Sequence, residues 1–348
     1  MEIFEKLAME VGISGREKRI REIVKNELSK VTDDVKIDHM GNTFGTLHKN
    51  GSVKIMLAGH MDEVGLLIMG IRDDGFLEIV PIGGLDPKVL LSQAVVVENT
   101  NGEFIPGVIG AVPPHFGVQK ELETESLLID IGAESKDEAI KYGIEVGCQA
   151  TFKPEFFTMK NKNRIVTKAI DNRFGTGIVL ETFTELAKEK TLKNTVVAGA
   201  TVQEEVGLRG ASAFHNYQDY DLIIAVDASP ASDMGTGLHQ LAPARLGKGF
   251  LLRVYDRGNI MPDGLRKYIK NLASENKIPF QEFMSKGGTD AISFQYKALA
   301  ITIGLPARYI HSSKSIADKR DIKACKDIIK KIVLDLTKEK LIKIKEEN

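Results

Sequence analysis

Hydrophobic positions along this chain follow two different rhythms, and each switch between them marks a boundary. At 3–9 and 14–28 apolar residues recur three and four apart, which predicts two amphipathic helices. Ser14 and Glu17 have the spacing of a capping box at the start of the second. The runs 35–39 and 43–47 flank Gly41-Asn42 like the arms of a hairpin. From 53 the apolar residues become contiguous, and VKIMLAGHMD (53–62) reads as a buried strand.

Between about 68 and 163 the texture changes. Short alternating runs at 76–82, 94–97, 105–109, 127–131 and 150–152 are separated by Asp-Gly, Gly-Gly, Asn-Gly and Pro-Pro turns. That pattern predicts a small barrel or sandwich, interrupted by one short helix at 136–142. After 164 strands and helices alternate: helix 175–188, strand 195–201, helix 209–216, strand 222–227, helix 264–276, strand 298–303 and helix 322–336, then a charged tail. Such alternation argues for a mostly parallel sheet covered on both faces. The expected fold is therefore α/β, a mostly parallel α/β/α sandwich built from 1–67 and 164–348. A small β-barrel-like domain, 68–163, is inserted into it.

Composition narrows the function classes. At 348 residues the chain has ample apolar material for one large domain and a smaller one. Its 47 Lys and Arg balance 48 Asp and Glu, so no global field recruits nucleic acid or an anionic membrane. The basic residues of 338–345 alternate with acids, as on a solvated helix face. No stretch approaches the roughly 18 apolar residues of a membrane span. The opening MEIFEKLAMEVG lacks the basic start and long apolar core of a secretory signal. Cys148 and Cys325 make no disulfide framework and read as buried thiols in a reducing compartment. The expectation is a soluble, cytoplasmic protein that uses neither nucleic acid nor membrane.

Five segments each deliver a metal-type ligand at the point where an apolar run stops. They are VKIMLAGHMD (53–62), KAIDNRFG (168–175), TVVAGATVQEEVGLRG (195–210), DLIIAVDAS (221–229) and LAITIGLPARYIHS (299–312). In an open α/β sheet, chemistry collects outside the carboxyl ends of the strands. His60, Asp171, Glu204, Glu205, Asp227 and His311 thus have a physical reason to converge. Two histidines with several carboxylates suit two divalent ions sharing a bridging carboxylate, which points to a metallohydrolase.

Each piece also has a plainer reading. Asp62 is placed to accept from the second ring nitrogen of a metal-bound His60, although H-x-D runs are common in structural settings. Asp171 fits an N-cap of the following helix as well as a bridging carboxylate. Glu204 and Glu205 leave a strand in opposite directions, so one can bind metal while the other moves a proton. An ordinary solvated acidic pair is the alternative. His39, His48, His115, His215 and His239 lack the strand-end setting. Lys286-Gly287-Gly288-Thr289-Asp290-Ala291 is rich in glycine but lacks P-loop spacing, and a substrate-backbone loop fits it better.

Taken together, GHMDEVG (59–65), KAIDNRFG, VQEEVGLRGA (202–211), VDASPASD (226–233), GGTDA (287–291) and ARYIHS (307–312) resemble the tetrahedral, self-compartmentalising metallo-aminopeptidases. Bacterial glutamyl aminopeptidases and deblocking aminopeptidases belong to that group. The match covers nearly the whole chain, including the β-rich insertion. The resemblance implies a zinc-peptidase-like fold with two divalent ions per subunit. One would be held by His60 and Asp227 and the other by Glu205 and His311, with Asp171 bridging. It implies Glu204 as general base, Asp62 orienting His60, and a cis peptide after Asp171. Zinc suits the N/O donors best, with cobalt or manganese as alternatives.

The implied reaction releases N-terminal residues from short peptides through a hydroxide activated by the two metals. DASPASD followed by Arg253-Val254-Tyr255-Asp256 looks closer to the glutamyl than to the leucine-preferring members. An acidic preference would need a cation, for which Lys248, Arg253 and Lys286 are available. The rival readings are another dinuclear amide hydrolase, such as a deacylase or carboxypeptidase, and the endoglucanase activity sometimes attached to this family. A glycosidase needs two carboxylates flanking a sugar bond, and here the paired acids are better used on metal. The resemblance further implies self-association through 68–163, first as a dimer and then as a dodecamer.

Overall fold

The computed structural model describes residues 1–48, 50–116, 122–213, 219–234 and 244–348. The chain opens with helices α1 (Glu2–Met9) and α2 (Lys18–Ser29). An antiparallel pair follows, β1 (Val35–Ile37) and β2 (Thr43–Leu47), and then β3 (Lys54–His60). Six strands come next: β4 (Gly65–Ile71), β5 (Leu77–Ile82), β6 (Ala94–Glu98), β7 (Phe104–Ile109), β8 (Leu128–Asp130) and β9 (Gln149–Phe152). Helix α3 (Lys136–Lys141) precedes the last of them. Short strands β10 (Phe156–Thr158) and β11 (Arg164–Thr167) lead into α4 (Ile170–Ala187), β12 (Thr195–Thr201) and α5 (Arg209–Ala213). The chain closes with β13 (Leu222–Pro230), β14 (Phe250–Tyr255), α6 (Asp263–Glu275), β15 (Phe280–Met284), α7 (Ala291–Phe294), β16 (Leu299–Ala307), β17 (Ser315–Asp318), α8 (Lys319–Asp335) and α9 (Lys338–Glu346).

Eight strands form one sheet in the order β1-β2-β12-β3-β13-β16-β14-β15. Its centre, β12-β3-β13-β16, is parallel throughout, while β1, β2 and the β14/β16 contact are antiparallel. The central strands read as unbroken apolar runs because both faces are covered. Ile55 and Leu57 of β3 face the core shared with α4 and α8. Met56 and Ala58 face a second cluster with Ala291 and Phe294 of α7.

Strands β4-β5-β8-β7-β6-β9 close into an antiparallel barrel with its own apolar core, including Leu66, Ile79, Val97, Ile129 and Phe152. It spans residues 65–152. Strand β10 pairs with β11, and β11 with β17, in a separate three-stranded sheet. Neither that sheet nor strands β4, β14 and β15 stand out in the sequence pattern.

One sequence expectation fails at the N-terminus. Helix α2 begins at Lys18, not at Ser14, because Gly15 takes a positive φ of 80° that breaks the helix there. Ser14 and Glu17 do not form a capping box. Their side chains go to the site described next.

Candidate metal centre

Two features of local sequence bring the carboxyl edge of the sheet together. Gly59 lets α4 lie directly on β3, since a Cβ there would stand 2.6 Å from the backbone nitrogen of Thr176. Asn172, at the start of α4, donates to the carbonyl of Val226 at 2.8 Å and accepts from the backbone N–H of Ala228 at 3.2 Å. It thereby clasps β13 on either side of Asp227 and sets Asp171 next to it. Asp171 and Asn172 are not helical, and the peptide between them is cis, as the resemblance implied.

Asp171 stands between the two histidines. Its Oδ1 is 3.2 Å from His60 Nε2 and its Oδ2 is 3.4 Å from His311 Nε2. His60 Nε2 also lies 3.8 Å from both Asp227 Oδ1 and Glu204 Oε2. His311 Nε2 is 3.4 Å from Glu205 Oε1. Ligand atoms within 4.8 Å of one another fall into His60/Asp171/Asp227 and Asp171/Glu205/His311, two triads sharing Asp171. A third grouping joins His60 to Glu204 and Glu205. All six residues singled out at strand ends therefore converge.

Their settings differ in detail from a strict strand-end rule. Asp227 lies inside β13, three residues before its end. Glu204 and Glu205 follow β12 in a turn, with Gln203 at φ 54°. His311 is four residues beyond β16, at φ 58°.

The groups that surround these six residues come from further away. Asp62 Oδ1 stands 3.3 Å from His60 Nδ1, without the alignment of a hydrogen bond. Its two oxygens accept the backbone N–H groups of Glu204 and Glu205, each at 3.1 Å, and the Ser14 hydroxyl at 2.6 Å. His311 Nδ1 lies 2.7 Å from the carbonyl of Gly84, so a loop of the barrel segment touches this histidine. Asp290, from the glycine-rich loop, is buried and accepts from Thr201. The sequence does not mark Ser14, Glu17, Asn42, Thr201 or Asp290 as site residues: Ser14 and Glu17 read there as a capping box, and Asp290 as part of the glycine-rich loop. His39, His48 and His115 are exposed and lie outside the site, and His215 and His239 are outside the described residues.

Negative charge dominates here. Burial disfavours a charged His60, yet Glu204, Asp171 and Asp62 outweigh it and hold the imidazole well above its ordinary pKa. Burial likewise opposes the charge on His311, but Asp171 and Glu205 push its pKa up to about 11. Asp171 is held well below the usual range: burial raises it, but the two imidazoles prevail. Burial pushes Glu204 and Asp227 well above the carboxylate range and also raises Glu205. So many carboxylates around two imidazoles lack compensating positive charge. Glu205 Oε1 is buried with no hydrogen-bond partner. Divalent cations would meet both needs, and an N/O donor set suits zinc-type ions.

The comparison with known proteins agrees with this geometry. Residues 41–328 match the M42 glutamyl aminopeptidase family. The chain belongs to that family. As an M42 member it is a metal-dependent aminopeptidase, a hydrolase of peptide bonds. The glutamyl aminopeptidase of Lactococcus lactis subsp. cremoris is 36% identical, over 99% of both chains. An aminopeptidase from the archaeon Desulfurococcus kamchatkensis superposes with a TM-score of 0.92 at 38% identity, covering 99% of this chain and 97% of that one. The TET1 peptidase of Pyrococcus horikoshii, which assembles into a tetrahedron or a large octahedral shell, gives 0.88 at 34% identity, covering 96% and 99%. Among the described residues of this M42 member, no helix is long and apolar enough to cross a membrane.

Proposed function

We propose that this M42 aminopeptidase removes N-terminal residues, preferentially Glu and Asp, from short peptides at a pair of divalent ions. One ion is held by His60, Asp171 and Asp227, the other by Asp171, Glu205 and His311. Zinc is the expected ion, with cobalt or manganese next. The observation that carries this reading is the Asp171 carboxylate, whose two oxygens each face a different imidazole at 3.2 and 3.4 Å. A carboxylate shared in that way suits two cations held a few ångströms apart.

Bound ions of this kind polarise a peptide carbonyl and make an attacking water more acidic. Glu204 takes the proton from that water and delivers it to the leaving amine nitrogen. Its burial favours the protonated carboxyl, which supports a role as proton acceptor. Asp62 holds the His60 ring in place from its Nδ1 side.

Of the three cations available for an acidic first residue, Lys248 and Lys286 are exposed. Arg253 is buried. It bonds to Ser229, two residues from Asp227, and to the carbonyl of Gly287 in the glycine-rich loop. Its Nε faces Asp256 at 3.4 Å, and of the three cations Arg253 is the one proposed to meet an acidic first residue. Residues 68–163 serve self-association and the chain works in the cytoplasm.

A panel of chromogenic aminoacyl substrates, free or acetylated at the amine and assayed with Zn²⁺, Co²⁺ or Mn²⁺, tests the reading. Glu and Asp derivatives with a free amine should be hydrolysed fastest. Equal hydrolysis of acetylated substrates would point to a deacylase-type activity and overturn it.

A further inference from the structure

The turn that presents Glu204 makes unusual use of its backbone donors. Four consecutive N–H groups all go to side-chain oxygens from the first 62 residues. The N–H of Val202 donates to Asn42 Oδ1 at 3.0 Å and that of Gln203 to Glu17 Oε1 at 3.1 Å. Those of Glu204 and Glu205 go to the two oxygens of Asp62. Gln203 is left-handed there, with φ 54°, a conformation that is strained for a residue other than glycine.

From this cradle we infer that Glu17 is a positioning residue for proton transfer, holding the strained Gln203 backbone so that Glu204 meets the attacking water and the leaving nitrogen. The inference rests on Glu204 being the base, as proposed above. Several observations separate it from a bland helix-start role. Glu17 occupies the N-cap position of α2 but makes no side-chain cap bond to that helix. Its Oε1 accepts instead from Gly15 at 2.8 Å and from Gln203, 186 residues away. It is only 6% exposed and makes no ion pair among the described residues.

A buried carboxyl without a contacting ion pair is costly unless its hydrogen bonds repay the desolvation, and here two backbone N–H groups donate to it. Burial, followed by the charge of Asp62, pushes its pKa up to about 7. A neutral carboxyl still accepts through its carbonyl oxygen, which a glutamine reproduces. The neighbouring Ser14 donates to Asp62, so the loop from Ser14 to Glu17 supports the turn at two points. That loop lies outside residues 41–328, which match the family.

The test uses Glu17→Gln, Glu17→Asp and Glu17→Ala in the full-length, metal-loaded enzyme. For each, kcat, KM, metal content and melting temperature are measured. Glutamine keeps the reach and the acceptor, so kcat should stay within about threefold of the parent. Aspartate keeps the charge but falls one methylene short. It and alanine should lower kcat by about 10²-fold with KM and metal content unchanged, as expected for a reacting group moved by about 1 Å. If alanine prevents folding, the glutamine and aspartate pair still decides. Aspartate as active as the parent, or a loss that only follows metal content or folded fraction, would overturn the inference. Glu204→Gln is assayed in parallel. An active Glu204→Gln sinks the base assignment itself, whereas an inactive one beside an unaffected Glu17→Asp sinks only the role of Glu17.

Discussion

Glu204 is the proposed general base, and its neutral isostere isolates that role. Glu204→Gln removes the proton acceptor but leaves both triads, His60/Asp171/Asp227 and Asp171/Glu205/His311, untouched. It should lower kcat by about 10²–10⁴-fold while elemental analysis finds the metal content of the parent. Loss of metal in this variant would exchange the roles of Glu204 and Glu205. At this scale the sequence is informative where residue type and local context agree. A histidine or acid at the end of a buried apolar run is chemically out of place, and six such residues do meet. It is uninformative where the partner is remote. Glu17, Asn42 and Ser14 bond to groups 186, 160 and 48 residues away, and nothing near them in sequence announces it. The capping-box spacing of Ser14 and Glu17 even points the wrong way, because Gly15 stops the helix before it can use them.

Packing between elements depends on small residues at their crossings. Gly59 of β3 and Gly175 of α4 meet where the helix start lies on the sheet, and a Cβ at Gly175 would stand 2.3 Å from the carbonyl of Val226. Gly59→Ala should therefore destabilise the fold by about 1–3 kcal/mol as α4 is forced outward. Because α4 carries Asp171, metal affinity should fall with it. Chemical denaturation and metal titration check the two effects, and a variant matching the parent in both would contradict this account of the crossing. The central strands and the barrel hairpins are legible because contiguous apolar runs and Asp-Gly or Asn-Gly turns each have a local cause. Strands β10, β11 and β17 are three or four residues long, too short for a periodicity to show. Helix α7, four residues, is hidden for the same reason.

On the scale of the whole molecule, strand order is the least legible property. Strand β12 enters between β2 and β3, which are neighbours in sequence, and only long-range packing decides that. The barrel interrupts the catalytic fold between His60 and Asp171. Exposed Met69, Phe104, Val108 and Phe116 belong to that segment, and closed assembly would cover such apolar surface. Light scattering at micromolar concentration should give a mass many times that of one chain, and a monomer would refute self-association through 68–163. Two divalent ions held around Asp171 are the proposed source of the aminopeptidase activity. The decisive measurement strips the enzyme with a chelator and titrates metal back while ion content and hydrolysis of a free-amine glutamyl substrate are followed together. Activity should vanish on stripping and return in full at about two ions per chain. Undiminished activity in protein shown to be free of metal, or full recovery with Asp171→Ala, would contradict it.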